Sequence, residues 1–270
     1  MRSDMLKNID KNWIQWFMGF NDAEGNFQVY IKKRVLKSGE VSHYGLGHAY
    51  HLSLHSRDAP LIKNIYEKLN VGVIYQYKDK PDCRLAVNDK KGLLFLIENI
   101  FDVYSLLGSN QLARYNLLKN GLTKDLKRFE TLEEYNIYKS EFLKSIKQKN
   151  LIDLYKSSNL EIDNWIVGFI NGEGCFYLNK NKCNFYIEHT DKQLLELIKY
   201  RLDFGPNVLE RSARDRDIGK PRKVTYQLII SSKKDINQLI NFLDNNQNIS
   251  LQGYKMEQYD EWKKNWSVNW

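Results

Sequence analysis

The chain has 270 residues, with 41 Lys and Arg against 33 Asp and Glu, and its net charge of +8 predicts an anionic partner. Hydrophobic residues make up 42% and aromatic residues 13%, enough for a folded core, yet no apolar run approaches the ~20 residues of a membrane helix. The 3 cysteines are too few for a disulfide framework and lack metal-site spacing, and the first residues carry no signal or transit pattern, so we expect neither secretion nor structural zinc.

The first elements along the chain are a helix and two alternating strands. Trp13 to Glu24 is apolar on more than one face, which predicts a buried helix that Gly25 ends. Alternation then predicts strands at Asn26–Lys32 and Tyr50–His55. The rest of this half predicts a helix with Leu61–Leu69, strands at Val73–Tyr77 and Arg84–Asn88, and helices at Lys90–Phe101 and Ser109–Lys119.

The second half of the chain repeats the first. Residues 17–27 match residues 166–176. Three further matches follow in the same order and pair His55–Asp58 with Glu188–Asp191, Asp89–Lys91 with Ser232–Lys234, and Leu106–Asn110 with Ser250–Lys255. One match alone would be consistent with coincidence, but four in order predict a duplicated domain whose loops differ in length.

The repeat predicts an α+β fold with two pseudo-symmetric αββαββα domains, each an antiparallel sheet with helices on one face. We assign residues 1–122 to the first domain, 123–161 to a linker and 162–270 to the second domain. The linker is polar and Lys-rich but nearly free of Gly and Pro. It is therefore expected to be partly helical and packed against the body rather than a free tether.

Two glutamates end the matching helices. Glu24 and Glu173 each precede a glycine, at the helix end that carries partial negative charge. An acid there is unfavourable, and its presence at both equivalent positions indicates a compensating cation. Gly19 and Gly168 allow close backbone approach, so the helices can pack between the domains and bring the carboxylates together. Carboxylates and helix-end carbonyls suit Mg²⁺; for either glutamate alone, a solvated acid in a turn is the alternative.

The polar strand positions that point away from the helices are rich in Asn, Gln, His, Arg and Tyr, which can read base edges. They are Asn26, Gln28, Tyr30, Lys32, His51, Ser53, His55, Arg84 and Asn88 in the first half, and Tyr177, Asn179, Asn184, Tyr186, Glu188, Thr225 and Gln227 in the second. Hairpin tips add basic residues for phosphates, which include Arg34, Arg211, Arg214, Arg222 and Lys223. The pattern favours nucleic-acid binding over a merely solvated face.

The nonapeptides Phe17–Gly25 and Ile166–Gly174 resemble the two signature helices of single-chain LAGLIDADG homing endonucleases. The similarity extends from about residue 12 to residue 264 through the element order of both halves. The resemblance implies a monomer whose sheets form a DNA-binding saddle. It also implies a site-specific endonuclease that recognises a long asymmetric DNA site. Such an enzyme cuts both strands across the minor groove by metal-dependent phosphodiester hydrolysis, leaving 3′ overhangs.

The same resemblance assigns metal ligands in this chain. It implies that Glu24 and Glu173 bind Mg²⁺ or Mn²⁺, with the carbonyls of Ala23 and Gly172 as helpers. Ca²⁺ is expected to bind without supporting cleavage.

Family members usually have a basic residue near each scissile phosphate. The repeat offers Lys255 for this role in the second half and Asn110 in the first, so we expect the two strands to be cut unequally. Two residues depart mildly from the motif: Asn21 replaces an apolar residue and Asn171 replaces the first Asp. Asn171 lies away from the presumed metal position, so activity is expected to survive.

Two other functions fit the same pattern. Some similar proteins are maturases that bind their own intron RNA and assist splicing, and an inactive DNA-binding module is the third reading. The presence of both glutamates favours a nuclease, because RNA binding alone needs neither. No intein splicing signature is present, so an intron-encoded protein is expected, and the resemblance implies an organelle-encoded protein of a fungal mitochondrion.

Overall fold

A computed structural model describes residues 9–144, 150–158, 161–180, 182–211 and 224–269. Of the predicted DNA-binding residues, Arg214, Arg222 and Lys223 lie outside these ranges. The described chain divides into two compact units: the first holds residues 25–144, and the second holds residues 9–24 and those from 150 onward. No helix in the described part combines the length and apolarity needed to span a bilayer.

The first unit carries one sheet and its covering helices. Helix α1 (Lys11–Glu24) comes first in the chain and belongs to the second unit. The elements of the first unit are β1 (Gly25–Val35), β2 (Val41–His55), α2 (Ala59–Leu69), β3 (Val73–Gln76), β4 (Asp82–Val87), α3 (Lys90–Leu96), α4 (Ser109–Thr123), β5 (Arg128–Phe129) and α5 (Leu132–Lys144). The strands are antiparallel in the order β1-β2-β4-β3, and β5 pairs with β2. Aromatic rings of β1, of α4 and of the helical turn Ile97–Phe101 meet in the core, where Phe27 lies 4.9 Å from Phe101 and 5.5 Å from Tyr115 between ring centroids.

The second unit repeats this sheet. Its remaining elements are α6 (Leu151–Ser157), α7 (Asp163–Glu173), β6 (Gly174–Asn179), β7 (Lys182–His189), α8 (Lys192–Leu202), β8 (Leu209–Arg211), β9 (Thr225–Ile230), α9 (Lys233–Asn245) and α10 (Tyr254–Asn269). The antiparallel order β6-β7-β9-β8 is that of the first sheet. Phe176 packs on Phe185 at 4.9 Å and on Trp262 at 5.2 Å between centroids. The predicted α+β fold, with its repeated antiparallel sheet, is confirmed.

Some elements differ from the predicted ones. β2 begins at Val41, well before the predicted start at Tyr50, because it pairs with β1 along the whole hairpin. The predicted helix Lys90–Phe101 changes to a π-helix at Ile97. There the amide of Asn99 donates to the Phe95 carbonyl at 2.8 Å, and a side chain that competes in this way loosens a helix.

The linker region is partly helical, as predicted, and it also contains a short strand that the sequence did not indicate. β5 pairs with Tyr44 and Gly45 of β2, and the Tyr135 hydroxyl of α5 donates to the Val29 carbonyl at 2.9 Å. The assigned boundaries at residues 122 and 161 follow the repeat along the chain. The packing groups α1 with the second unit instead, because α1 lies against α7.

α1 and α7 approach closely at two glycines. A Cβ on Gly19 would overlap the Trp165 carbonyl oxygen and lie 2.9 Å from the Phe169 nitrogen. A Cβ on Gly168 would overlap the Trp16 carbonyl oxygen in the reciprocal way. The backbones therefore touch where these side chains are missing, and this contact fixes how the two helix ends meet.

The first turns of α1 and α7 are joined by buried amides. Asn164 is 5% exposed, and its Nδ2 donates to Asn12 Oδ1 at 3.0 Å and to Gln15 Oε1 at 2.8 Å. Its Oδ1 accepts from Asn246 Nδ2 at 3.3 Å. Each of these bonds satisfies a polar group that would otherwise be desolvated without a partner.

We expect Asn164→Ala to lower the free energy of unfolding by about 2 kcal/mol, because it leaves buried amide groups unpaired. Urea denaturation followed by circular dichroism measures the change. Lys11→Ala is the control: it removes only an exposed ion pair with Glu161 and is expected to cost less than about 0.5 kcal/mol. Equal losses in the two variants would contradict the role given to Asn164.

Candidate active site

The predicted glutamates end two helices that touch. A Cβ on Gly172 would lie 2.5 Å from Ala23 Cβ, 3.1 Å from Glu24 Cγ and 3.7 Å from Glu24 Oε1. Glu173 follows directly in the chain. The structure thus brings Ala23, Glu24, Gly172 and Glu173 together, at the two helix C-termini where backbone carbonyls of the last turn have no intrahelical donor.

The surroundings of the Glu173 carboxyl disfavour its charged form. Its pKa is raised to about 8, chiefly by burial and next by the charge of Glu24, with a smaller contribution from Glu188. The nearby ammonium of Lys255 acts in the opposite direction. Two carboxylates that share a partly buried place disfavour each other's charge, and a cation bound between them would reverse this.

Lys255 is held beside Glu173 by the start of α10. Its Nζ donates to the carbonyl of Gly174, the residue after Glu173, at 2.5 Å. Asn171 fixes the preceding loop, because its Oδ1 accepts from the Gln252 backbone N–H at 2.5 Å. The residue that replaces the first motif Asp thus helps to place Lys255, a role that the sequence did not indicate.

In the first unit, Gln111 makes the equivalent contact. Its Nε2 donates to the carbonyl of Gly25, which follows Glu24 as Gly174 follows Glu173. The sequence comparison offered Asn110 here with a register uncertain by one residue, and the structure places Gln111 at the contact. A helix advances about 100° per residue, so a slip of one position selects a side chain on another face.

Two matching side-chain clusters fix this register. In α4, Tyr115 and Lys119 both bond Asp102, at 2.6 Å each. In α10, Tyr259 and Lys263 bond Asp244 at 2.8 and 2.6 Å. Tyr115 and Tyr259 are 144 positions apart in the chain, as are Lys119 and Lys263, and the same separation relates Gln111 to Lys255.

The donor set at the helix ends is small and consists of oxygen. Within the described ranges, no three His, Cys, Asp or Glu side chains are grouped as a metal cluster. Mg²⁺ is commonly held by one or two carboxylates, with water and substrate phosphate completing its shell. Glu24 and Glu173 with helix-end carbonyls fit that chemistry, whereas a zinc site would need more protein ligands.

The register of the first sheet places its predicted polar residues on one face. Asn26 lies opposite His51, and Ser53 lies opposite Arg84. Arg84 Nε donates to Ser53 Oγ at 2.8 Å, and His51 Nε2 lies 3.2 Å from Asn88 Oδ1. Burial lowers the pKa of His51 and the charge of Arg84 adds to this, while Asn88 opposes it, so the ring is neutral near pH 7. Of the other predicted residues, the same face carries Gln28, Tyr30, Lys32, Arg34 and His55.

The same face extends along the β1–β2 hairpin. The Tyr30 ring covers Gly47, where a Cβ would overlap it, and Lys32 Nζ lies 5.5 Å from the ring centroid. Lys32 and Arg34 are exposed. The hairpin therefore presents basic side chains to solvent beyond a polar strip of sheet.

The second sheet holds its polar residues in a hydrogen-bonded chain. Glu188 accepts from Thr225 Oγ1 at 2.8 Å and from Gln227 Nε2. Gln227 Oε1 in turn accepts from Arg211 Nε at 2.7 Å. These four side chains belong to three neighbouring strands. The sequence placed Glu188, Thr225 and Gln227 on one face and Arg211 at a hairpin tip, and it did not indicate that they bond to each other.

Three of the remaining predicted residues of the second sheet lie on the same face with some exposure. Tyr177 and Tyr186 meet edge to face at 5.6 Å between centroids, and Asn179 is exposed. Asn184 lies on this face opposite Tyr177, as predicted, but it is only 8% exposed, and its amide bonds back to the Lys182 carbonyl at 2.9 Å. Its side chain is therefore used within the fold.

The sequence model described as LAGLIDADG endonuclease matches residues 17–121 and 166–266, which is most of the chain and includes both helix-ending glutamates. The chain belongs to the LAGLIDADG endonuclease family. The resemblance drawn from the two nonapeptides is confirmed.

Curated relatives include two intron-encoded proteins. One is the "Probable intron-encoded endonuclease Cox1-I1b" of Schizosaccharomyces pombe, 29% identical over 62% of this chain and 42% of the relative. The other is the "Intron-encoded RNA maturase bI4" of Saccharomyces cerevisiae, 30% identical over 41% of this chain and 16% of the relative. The alignments thus span less than half the length of either relative.

Solved structures share the fold. The I-LtrWI LAGLIDADG homing endonuclease bound to target DNA superposes with a TM-score of 0.68 at 22% identity, over 96% of this chain and 90% of that one. A match at this identity establishes the two-domain LAGLIDADG fold.

Proposed function

We propose that the protein is a site-specific homing endonuclease that cuts both strands of a long, asymmetric double-stranded DNA site by phosphodiester hydrolysis. The observation that carries the proposal is the contact between the ends of α1 and α7. It brings Glu24 close to the end of α7, where Glu173 has a raised pKa. A fold alone needs no such pair, because placing two acids at helix C-termini opposes the helix dipoles.

The groups proposed to hold a divalent metal are the carboxylates of Glu24 and Glu173, with the carbonyls of Ala23 and Gly172. A bound Mg²⁺ or Mn²⁺ would activate water and stabilise charge on the phosphate and the leaving 3′ oxygen. Ca²⁺ is proposed to bind there without supporting cleavage. The chain's own part is to hold the two acids at a fixed separation, which the packed helix backbones enforce.

Lys255 is proposed to supply positive charge near one scissile phosphate. It already lies beside Glu173, and its position depends on the Gly174 carbonyl and on the loop that Asn171 fixes. A positioned cation stabilises negative charge that develops in the transition state.

The polar sheet faces are proposed to bind the DNA. Amide, imidazole and phenol groups along β1, β2 and β4 can bond base edges, and the second sheet offers the chain of side chains around Gln227. Lys32, Arg34 and Arg211 are proposed phosphate contacts. The residues Arg214, Arg222 and Lys223 keep the role predicted from sequence.

We expect the double variant Lys32→Ala, Arg34→Ala to bind DNA more weakly on all sequences, and to lower the slope of log affinity against log salt by about 2. Fluorescence anisotropy in Ca²⁺ at several salt concentrations measures both quantities. Lys63→Ala is the control, since Lys63 lies on α2 and pairs with Glu67. An unchanged salt slope in the double variant would show that the hairpin does not contact the DNA phosphates.

The decisive experiment selects cleaved sites from a random DNA library with Mg²⁺, using the variant Glu24→Gln, Glu173→Gln as the negative control. We expect one long site to be enriched. The natural protein should cut both of its strands, and the control variant should cut neither. If the protein binds a site but cuts neither strand, it is an inactive DNA-binding module and not a nuclease.

An RNA maturase is the second candidate function, favoured by the relative of that name. Tight binding of its own intron RNA, with splicing assistance and no cut DNA site, would support it. The intron-encoded relatives also support an origin in a fungal mitochondrial intron, and we propose that the protein acts there as a monomer.

A further inference from the structure

Glu188 is an acid on the polar face of the second sheet. Its neighbour Ile187 is fully buried, so alternation puts the Glu188 side chain on the face away from the core, where it is partly exposed. Ile187 pairs with Gly174, the first residue after α7, which places Glu188 beside the end of that helix. The charge of Glu188 also contributes to the raised pKa of Glu173. An acid here would repel DNA phosphates, so a role in DNA binding requires a group that donates hydrogen bonds to it.

Two neighbouring side chains fix the Glu188 carboxylate. Its Oε1 accepts from Thr225 Oγ1 at 2.8 Å, and its Oε2 accepts from Gln227 Nε2. A carboxylate oxygen can accept about two hydrogen bonds, and no further described residue donates to either oxygen. Each oxygen therefore keeps one acceptor site. Because both bonds hold the group in one orientation, it would lose little conformational freedom on binding a donor.

Gln227 is a residue type that can read adenine, but its amide is already used at both ends. Its Nε2 donates to Glu188, and its Oε1 accepts from Arg211 Nε at 2.7 Å. A carboxylate can only accept and a guanidinium can only donate, so the amide has one possible orientation. Turning it towards an adenine would break both bonds. Gln227 is therefore a spacer between two charged groups, and Glu188 is the group with acceptor sites left for a base.

Resting on the proposed nuclease function, we propose that Glu188 is a specificity-determining residue that selects cytosine at one position of the DNA that the second sheet contacts. In the major groove, cytosine presents only its N4 amino donor. Guanine presents two acceptors, thymine presents O4 and a methyl group, and adenine has N7 beside its N6 amino group. A carboxylate repels these acceptors and can bond the cytosine amino group. Because Glu188 lies beside the end of α7, the selected cytosine lies near the cuts.

The matching position in the first sheet has the opposite charge. Ser53 pairs with Arg84 between the strands that correspond to those of Glu188 and Gln227. Arg84 Nε donates to Ser53 Oγ at 2.8 Å, which leaves the terminal N–H groups of the guanidinium for other acceptors. A guanidinium typically bonds guanine O6 and N7. Moving this pair into the second sheet should therefore change the selected base from cytosine to guanine.

The test uses a DNA site selected from a random library by binding in Ca²⁺, and duplexes that carry each base at every position of that site. Fluorescence anisotropy measures the affinities of the natural protein, of Glu188→Gln and of the transplant variant Glu188→Ser, Gln227→Arg. We expect the natural protein to prefer cytosine at least about tenfold at one position near the cuts. There, Glu188→Gln should lower the preference below about threefold, and the transplant variant should prefer guanine.

Glu196→Gln is the matched control, because Glu196 lies on α8, outside the sheet, and pairs with Lys192. It should leave every base preference unchanged. Thermal melting shows whether each variant is folded, and Glu188→Gln, which nearly keeps the natural shape, carries the test if the transplant variant unfolds.

The outcomes separate this inference from the function on which it rests. If the natural protein has no cytosine-selective position near the cuts, or if that preference survives Glu188→Gln, the inference is wrong and the nuclease stands. Lower stability of Glu188→Gln with an unchanged base preference would show that Glu188 only supports the sheet. If the natural protein binds no DNA site, the proposed function fails and the inference with it.

Discussion

Glu173→Gln is expected to reduce double-strand cleavage by at least about 1000-fold while the protein still binds its DNA site within about threefold. The amide keeps the shape of the side chain but loses the anionic oxygen that a divalent metal requires. Cleavage of the plasmid in Mg²⁺ and anisotropy of a labelled duplex in Ca²⁺ measure the two effects. Glu257→Gln, at an exposed acid in the first turn of α10, is the matched control.

The same substitution is expected to stabilise the metal-free protein. The Glu173 carboxyl has a pKa near 8 in the folded chain against an ordinary value of 4.5. A carboxyl whose pKa is raised on folding disfavours the folded state at any pH above its unfolded value, and the penalty grows until the pH reaches the folded value. At pH 7, removing it is worth on the order of 3 kcal/mol.

Thermal melting with EDTA, and then with Ca²⁺, separates this effect from simple loss of structure. The gain from Glu173→Gln should be small at pH 5 and larger at pH 8, and Ca²⁺ should raise the melting temperature of the natural protein but not of the variant. Loss of cleavage together with lower stability in EDTA would mean that Glu173 supports the fold and would count against a metal site.

The repeat predicted the fold well because each element is coded locally. Strict alternation of apolar and polar residues marks the strands. The helices before Gly25 and Gly174 are apolar on all faces, which indicates that they are buried. The two glutamates followed from the same pattern. Local signals of this kind survive changes in loop length, since a loop can lengthen without disturbing the strands that it joins.

Features that depend on register or side-chain conformation could not be predicted in the same way. The identity of Gln111 needed the matching Asp102 and Asp244 clusters, because the loops before α4 and α10 differ in length. The bond from the Asn184 amide to the Lys182 carbonyl of its own strand is a side-chain feature that alternation cannot show. The Ser53–Arg84 pair of the first sheet and the Glu188–Gln227 pair of the second occupy matching positions in the two strand orders, yet the first carries a cation and the second an acid.

Gly19→Ala is expected to destabilise the protein by at least about 3 kcal/mol, because the new methyl group would meet the backbone of α7, which cannot rotate away as a side chain could. Gly168→Ala should have a similar effect through the Trp16 carbonyl. Chemical denaturation measures both. Gly45→Ala is the control, since a Cβ there would lie 3.6 Å from Arg34 Nε, an ordinary contact.

The double variant Gly19→Ala, Gly168→Ala is expected to lose less stability than the sum of the two single losses. Both methyl groups force α1 and α7 apart in the same direction, so one displacement relieves both overlaps, and residues in contact are commonly non-additive. That displacement would also separate Glu24 from Glu173, so any double variant that remains folded should lose its stabilisation by Ca²⁺. Additive losses with Ca²⁺ stabilisation intact would show that the helix contact does not set the distance between the carboxylates.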